Sequence, residues 1–421
     1  MMPLGCIADD LTGATDLGVT LAREGLSVIQ VNGVPDAELR IPDVDAVVVA
    51  LKSRTNPPQE AVDWSLRAQA WLHARGAQRC YFKYCSTFDS TPRGNIGPVM
   101  DALMEATGSA FTVATPAYPL NKRTVYLGHL FVGHQLLSDS GMRNHPLTPM
   151  TDANLLRLLG AQARGRVGLI PFPVLDAGAA AVTERCAALQ DEGYSYAILD
   201  AVRDEHLVAA GAACFDMPLT TGGAGLGMGL ARALAQHGGL RARGELPMLP
   251  KLGSGAVVLS GSCSEATLAQ VAAARERYPA FKLDPMELAK GSTQVDAALD
   301  WAGSRLGALP VMIYASAPPE RVVQVCAALG DERAAKLVED AFRNIVRGLI
   351  DKGVRRFVVA GGETAGAVVE ATGVRVLSIG PEIAPGVPWT QSVDGEPFQL
   401  ALKSGNFGQR DFFLKAFEVL Q

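Results

Sequence analysis

The sequence predicts an α/β protein of two domains, each a mainly parallel sheet flanked by helices, with the active site in the interdomain cleft. Three observations lead there. Short β-branched runs alternate with helix-period segments along most of the chain, as happens when parallel strands are joined by crossover helices. At 421 residues the chain exceeds one ordinary core, on a prior of roughly 100 to 200 residues per domain. Past the midpoint the aperiodic stretch RARGELPMLPKLGSG breaks the alternation, as a linker does. The expected division is 1–243 for the first domain, 244–253 for the linker and 254–421 for the second domain.

The elements follow in order. LGCIA, GATDLGVTLAREGL and SVIQV form a βαβ opening, and DAVVVAL (Asp45 to Leu51) is a further buried strand. QEAVDWSLRAQAWLHARG is an amphipathic helix ended by Gly76, CYFKYC a strand, NIGPVMDALMEATG a helix and FTVATPA a strand. From about Gly128 to Pro149 the pattern turns loop-rich, an excursion from the alternation. VGLIPF, a helix near Ala179 to Glu192, YAILDA, another helix and PLTTGGAGLGMGLARALAQHGG restore it. In the second half one arrangement occurs three times, a strand running into a polar glycine loop and then a helix. AVVLSGSCSEATLAQV, RRFVVAGGETAGAVVEATG and FQLALKSGNFGQRDFFLKAFEVL each carry it.

Composition narrows the function. Hydrophobic residues make up 48% of the chain and charged ones 19%, enough apolar material for large cores. A formal charge of −5 argues against nucleic acid as partner. The seven cysteines form no C-x-x-C pair, which points away from a disulfide framework or zinc site and toward a reducing cytoplasm. The start, MMPLGCIADD, has no basic and apolar leader pattern, and no apolar run is long enough for a membrane span. A homo-oligomer is left open.

In open α/β sheets ligands sit beyond the carboxyl ends of strands, where helix N-termini present backbone N–H groups to anions. LSGSCSE (Leu259 to Glu265), AGGET (Ala360 to Thr364) and KSGNFG (Lys403 to Gly408) offer close backbone approach, hydroxyls and one point charge, a set suited to a polyphosphate. Each of them also reads as an ordinary helix cap. Neither the P-loop motif nor the protein-kinase motifs occur. TTGGAGLGMG contains no G-x-G-x-x-G and follows MPLTT, a poor strand, so it is expected to be a flexible approach to the cleft. In the first half, ADD after the first strand, KSRT after the third, and FKYCSTFDSTPRGNIG after the fourth gather charges suited to a small polar acid. Among them Arg93 offers a carboxylate clamp.

ADDLTGATD, LKSRT, KYCSTFDSTPRGNIGP, RTVYLGHLFVG, HPLTPMTDANL, LSGSCSEAT, AGGETAGAV and LKSGNFG together resemble the four-carbon acid sugar kinase family, and look closest to its 3-oxo-tetronate kinase branch. The resemblance spans essentially the whole chain and implies a sugar-binding N-terminal and a nucleotide-binding C-terminal domain. The implied reaction is ATP-dependent phosphorylation of the 4-hydroxyl of a 3-oxo-tetronate, with magnesium accompanying the ATP. Carried over residue by residue, the nucleotide site falls on Ser260, on Gly361, Gly362, Glu363 and Thr364, and on Gly405, with Ser262, Lys403 and Asn406 as secondary candidates. The substrate side falls on Asp9, Asp10, Thr12, Gly13, Arg54, Lys83, Asp89, Ser90 and Arg93. Departures are Leu11, where an aromatic was expected, and Arg93, where a small residue would also fit.

For in-line transfer to a primary hydroxyl an aspartate would orient or deprotonate that hydroxyl, with Asp10 the first choice and Asp89 the second. Two other classes remain open at this point. One is a nicotinamide-dependent dehydrogenase or isomerase of sugar acids using the 222–229 glycines, and the other is a non-catalytic sensor of ATP and sugar acids.

Overall fold

The computed structural model describes residues 2–145, 148–237, 246–253, 255–307 and 309–420. The chain divides into two compact units, Met1–Glu245 and Leu246–Gln421. Of the expected linker, Gly244 and Glu245 lie outside the described residues.

Unit 1 is built on strands β1 (Met2–Ala8), β2 (Val28–Asn32), β3 (Ala46–Ala50), β4 (Ala77–Lys83), β5 (Thr112–Thr115), β9 (Val167–Ile170), β10 (Tyr196–Leu199) and β11 (Leu219–Gly222). All pair parallel, in the spatial order β2-β3-β1-β4-β11-β5-β10-β9. β3, AVVVA, is buried at every position, as a strand covered on both faces must be. The covering helices are α1 (Leu11–Arg23), α2 (Pro58–Ala74), α3 (Ile96–Thr107), α4 (Leu155–Gly160), α5 (Phe172–Asp176), α6 (Ala179–Asp191), α7 (Asp204–Ala213) and α8 (Ala224–His237). The chain starts at β1 in the middle of the sheet, runs outward through β2 and β3, then returns to the other side of β1 with β4. β1 therefore stands at a reversal of strand order, where the loops after β1, β3 and β4 open a crevice. The loop-rich stretch is a small antiparallel sheet of β6 (Arg123–Tyr126), β7 (His129–Val132) and β8 (Gln135–Leu136).

Unit 2 repeats the plan with β12 (Ala256–Ser260), β13 (Ala280–Lys282), β14 (Val311–Tyr314), β15 (Arg356–Ala360), β16 (Val376–Ala384), β17 (Val387–Ser392) and β18 (Gln399–Lys403). β13, β14, β12, β15 and β18 lie side by side and parallel, while β17 runs antiparallel to both β18 and β16. Here the order reverses between β12 and β15, again placing glycine loops at the crevice. Its helices are α9 (Glu265–Arg275), α10 (Pro285–Leu288), α11 (Thr293–Gly303), α12 (Pro319–Leu329), α13 (Asp331–Asp351), α14 (Gly362–Thr372) and α15 (Phe412–Lys415). Trp389, fully buried, anchors the core by donating from its indole Nε1 to the Ala416 carbonyl at 2.6 Å. Among the described residues no helix is long and apolar enough to cross a membrane.

Two expectations fail around Thr220 to Gly229. LTTG is an interior strand, β11, because its threonines find acceptors there. Thr221 Oγ1 donates to the Val113 carbonyl at 2.8 Å. The glycines after it are no flexible approach to a cleft; they lie buried at the start and along the body of α8. A Cβ on Gly225 would come within 2.4 Å of the Ala117 carbonyl oxygen, and one on Gly229 within 1.9 Å of the Leu207 carbonyl oxygen. A Cβ on Gly211 of α7 would meet the Gly229 carbonyl carbon at 2.1 Å. These glycines let two helix backbones touch, so the stretch is packing and not a nicotinamide site. Gly229→Ala is expected to lower the unfolding free energy by about 3 kcal/mol through overpacking, measured by urea denaturation.

Candidate active site

The site in unit 1 begins where β1 ends. Asp10 has extended backbone (φ −148°, ψ 159°) and caps α1, accepting from the Gly13 N–H at 3.0 Å and from the Thr12 hydroxyl at 2.7 Å. Gly13 is required for this approach, since a Cβ there would lie 2.2 Å from Asp10 Oδ1 and 3.0 Å from Lys83 Nζ. The backbone of Asp9 joins three strand ends: its N–H donates to the Lys83 carbonyl at 3.0 Å, and its carbonyl accepts from Ser53 and Arg54 at 3.0 and 3.2 Å.

Arg54 then closes the cluster. Its Nε donates to Asp9 Oδ2 at 2.9 Å, and its Nη2 donates to Asp9 Oδ1 at 2.7 Å and Asp10 Oδ1 at 2.6 Å. Nη1 lies 3.6 Å from Asp89 Oδ2. Burial pushes the Asp9 carboxyl up, against the opposing charge of Arg54. Burial acts on Asp10 as well, yet Arg54, Lys83, the Thr12 hydroxyl and the Gly13 N–H together hold its carboxyl below the usual aspartate value. The same carboxylates keep Arg54 firmly protonated although burial opposes it. The loop carrying Arg54 is fastened by Asn95, whose side-chain amide donates to the carbonyls of Ser53 at 2.8 Å and Asn56 at 2.8 Å.

Asp89 is set by a strained turn. Phe88 has φ 57°, a left-handed conformation unfavourable for a bulky side chain, and is held there fully buried with its ring against Tyr84. Thr87 Oγ1 donates to Asp89 Oδ1 at 2.6 Å. Lys83, 2% exposed, places its Nζ 3.9 Å from Asp16 Oδ2. Ser90 is buried and accepts from the Gln162 amide at 2.9 Å, so its hydroxyl braces the loop. Arg93 is exposed, and no bond or ion pair of its side chain joins it to the carboxylates.

In unit 2 the three glycine loops do come together. Gly261 and Ser262 donate to the Ala360 carbonyl at 3.1 and 3.2 Å, and Gly361 donates to the Lys403 carbonyl at 2.9 Å. The Gly405 carbonyl accepts from Ser264 Oγ at 2.6 Å and Thr267 Oγ1 at 2.8 Å. A Cβ on Gly405 would approach Ser262 Oγ to 2.5 Å. Gly361 (φ 121°) precedes α14 with no side-chain cap, so Gly362, Glu363 and Thr364 bring an uncapped helix N-terminus to the crevice. Asn406 is exposed beside it. Ser260 is fully buried, its hydroxyl 2.8 Å from Ser316 Oγ and its carbonyl accepting from the Ala315 N–H at 2.8 Å, so it braces the loop from within β12.

Lys403 departs from its expected role as a point charge reaching toward phosphates. It is fully buried, and Nζ donates to Thr267 Oγ1 at 3.0 Å and to the Ser404 and Gly405 carbonyls at 2.9 Å each. It tethers the loop from beneath, and burial pulls its pKa down to about 7. Sequence reasoning missed Thr267 and Gln270. Gln270 donates to the Phe407 and Gly408 carbonyls at 2.9 and 3.0 Å. Their signal was present: Thr267 and Gln270 follow the N-cap Ser264 at every third residue, polar positions on the buried side of an otherwise Ala-rich helix. Among the described residues no group of three His, Cys, Asp or Glu is placed to hold a metal ion.

Residues 4–230 match the family model described as a sugar-binding N-terminal domain, and residues 257–413 that of a nucleotide-binding C-terminal domain. The chain is 54% identical over 417 residues to a Burkholderia multivorans protein named 3-oxo-tetronate kinase, covering 99% of this chain and 97% of the relative. To the Pseudomonas fluorescens protein of the same name it is 55% identical over 415 residues, covering 98% and 96%. A solved structure from Salmonella typhimurium LT2, described as a candidate tRNA synthase, superposes with TM-score 0.88 at 46% identity and covers 100% of both chains. One from Haemophilus influenzae superposes with TM-score 0.78 at 45% identity, covering 99% of this chain and 100% of the other.

Replacing Arg54 tests the electrostatic arrangement. Arg54→Gln strands Asp9 and Asp10 without their counter-charge and is expected to cost about 3 kcal/mol near neutral pH. Without Arg54 the Asp9 carboxyl is expected to rise further and the Asp10 carboxyl to rise from its lowered value, so the folded variant holds protons that the folded wild type releases. Relative to wild type, the variant gains stability as pH falls through the window in which those protons bind. In the wild type Asp10 contributes with the opposite sign, stabilising above its unfolded pKa and losing that contribution as pH falls through the lowered folded value. Urea titrations at about pH 7.5 and about pH 5 should therefore show the deficit of the variant shrinking in acid.

Proposed function

From a chain that belongs to the four-carbon acid sugar kinase family, on its 3-oxo-tetronate kinase branch, we infer an ATP-dependent kinase that phosphorylates the 4-hydroxyl of a 3-oxo-tetronate. The observation that carries this reading is the pairing of two unlike sites: a hydroxyl-orienting acidic cluster in unit 1 and an uncapped helix N-terminus among glycine loops in unit 2. The tRNA-synthase description given to the Salmonella relative finds no support in a chain of formal charge −5. A cytoplasmic setting fits, since it supplies ATP and keeps the seven free thiols reduced.

In the proposed step the substrate's 4-hydroxyl oxygen bonds to the γ-phosphorus as the bond to the β,γ-bridging oxygen breaks; ADP leaves and the hydroxyl proton passes to an aspartate. Donor and acceptor must meet in line, so catalysis is chiefly positioning and charge neutralisation. Magnesium, which we propose enters with the triphosphate, would supply part of that neutralisation. The Gly361 to Thr364 turn, the Gly405 loop and the hydroxyl of Ser262 offer the phosphate contacts, with Ser260 bracing the first loop.

We propose the reverse order of the two candidate bases, Asp89 before Asp10, and the hydrogen bonds support it. Both oxygens of Asp10 are engaged, by Arg54 and Gly13 on one and by Thr12 on the other, and its pKa is lowered, which makes it a poor proton acceptor. Asp89 Oδ1 takes the Thr87 hydroxyl while, among the described residues, Oδ2 has only the longer Arg54 contact. We assign Asp89 to the hydroxyl and Asp10 to holding the cluster together.

Substrate-dependent ADP release with a panel of tetronates tests the reading; no release with any of them, or an accompanying change in nicotinamide absorbance, would overturn it. Asp89→Asn is expected to lower kcat by about 100-fold or more, as loss of a general base does. Asp10→Asn keeps a competent helix cap and should cost less; the reverse ranking would return the role to Asp10. Lys403 gives an independent check on the nucleotide site. A bound phosphate raises its pKa from about 7, so at about pH 8 nucleotide binding should take up protons, and at about pH 5.5, where the amine is already charged, this group should contribute none. Calorimetry in buffers of different ionisation enthalpy reads that difference, with Lys403→Met as the control that abolishes it.

A further inference from the structure

We propose that Arg123, at the start of β6, is the group in unit 1 that binds the substrate's carboxylate, a role the sequence pattern would give to Arg93. The proposal rests on the sugar-acid reading above and deepens it by naming the group that recognises the acid.

Arg123 is half-buried and unsatisfied. One Nη donates to the Asn121 carbonyl, Nε is buried without a hydrogen-bond partner, and among the described residues the guanidinium makes no ion pair. A guanidinium withdrawn from water without a counter-charge is held at a cost that a bound anion removes. Burial accordingly weakens its hold on the proton, against the pull of Cys85, Asp89 and Asp16. Of these, Asp89 and Asp16 are the ionised ones, since burial pushes the Cys85 thiol up to about 12.

The backbone fixes the placement of Arg123. Arg123 and Tyr118 exchange backbone hydrogen bonds of 2.8 and 3.1 Å just beyond the carboxyl end of β5, which the parallel pairing through β11 to β4 sets on the same edge of the sheet as the loops after β1, β3 and β4. The far end of the excursion returns to the same place. His145, its Nδ1 accepting from the Thr148 N–H at 3.1 Å, lies within electrostatic reach of Asp89 and Arg54. The other cations are committed elsewhere: Arg54 to Asp9 and Asp10, Lys83 toward Asp16, and Arg93 to solvent. Among the described residues Arg123 alone of these four is both withdrawn from water and without an acid partner, and with one Nη1 hydrogen on the Asn121 carbonyl its other Nη hydrogens are left as donors for a carboxylate. With the carboxylate there, the hydroxylated end of a four-carbon acid is left for Asp89.

The test compares binding of erythronate and threonate with that of the neutral erythritol and threitol, by calorimetry on the full chain, for wild type, Arg123→Gln and Arg123→Lys. Arg123→Gln is expected to weaken the acids by about tenfold or more while changing the neutral polyols and the KM for ATP by less than about twofold, and Arg123→Lys should recover part of the loss. Acid binding within about twofold of wild type in Arg123→Gln would overturn the assignment, as would equal loss of acids and polyols. A thermal melt of each variant shows whether it is folded, and Arg123→Lys carries the comparison if the glutamine variant is not. Wild type that binds the acids yet releases no ADP would refute the kinase reading and leave Arg123 standing. Wild type that binds neither acid refutes both.

Discussion

The fork of Arg54 on Asp9 and Asp10 is the interaction on which the rest of unit 1 depends. Two adjacent carboxylates at the end of a buried strand repel each other and resist desolvation, so they can stay together only if a cation is brought to them. Arg54 comes from the loop after β3, and the Asp9 backbone ties that loop to the end of β4. One guanidinium thus fixes three strand ends where the order of the sheet reverses. With two of its edges spent on Asp9 and Asp10, its remaining Nη reaches only loosely toward Asp89. That looseness makes Asp89 the carboxylate with an oxygen to spare.

Much of this was legible before any coordinates. Apolar runs such as AVVVA and AVVLS announce buried parallel strands, and the polar loops that follow them must lie at one edge of the sheet. Asp9, Asp10, Arg54, Lys83 and Asp89 could be nominated on that basis. Pairing could not be read, because Arg54 and Asp9 stand 45 positions apart and only the register of β1 with β3 and β4 brings them together. The glycines after Thr221 misled for a related reason: spacing reveals that bulk is absent, while only the fold says what fills the space, here the backbone of α7. Nor does the second half betray β16 and β17, whose antiparallel run VRVLSIGPEIAPGVPWTQS carries Gly and Pro inside its strands.

The two units use buried cations in opposite ways, and the difference separates scaffold from binding. Arg54 is matched by carboxylates and serves to assemble; Lys83 faces Asp16 in the same manner. Lys403 has all three of its N–H donors satisfied by neutral oxygens, so its geometry is complete while its charge is not. Three donated bonds need the ammonium form, so the tether is complete only when charged, and that buried charge favours an anion above the loop it holds. Arg123 belongs to this second kind, lacking an acid partner and a full set of acceptors.

Charge balance therefore locates the two anionic ends of the reaction more sharply than the number of basic residues in a loop. Arg93 sits in the most basic-looking turn of the first half, yet it is exposed, and a solvated guanidinium gains little from a ligand that must displace its water. A cation already drawn into low dielectric has lost that water during folding, so the free energy recovered on meeting an anion is larger. By that argument we propose phosphate over Lys403 and carboxylate beside Arg123. On these assignments the four-carbon acid would take its direction in unit 1 from a cation with no acid partner among the described residues at one end and from Asp89 at the other.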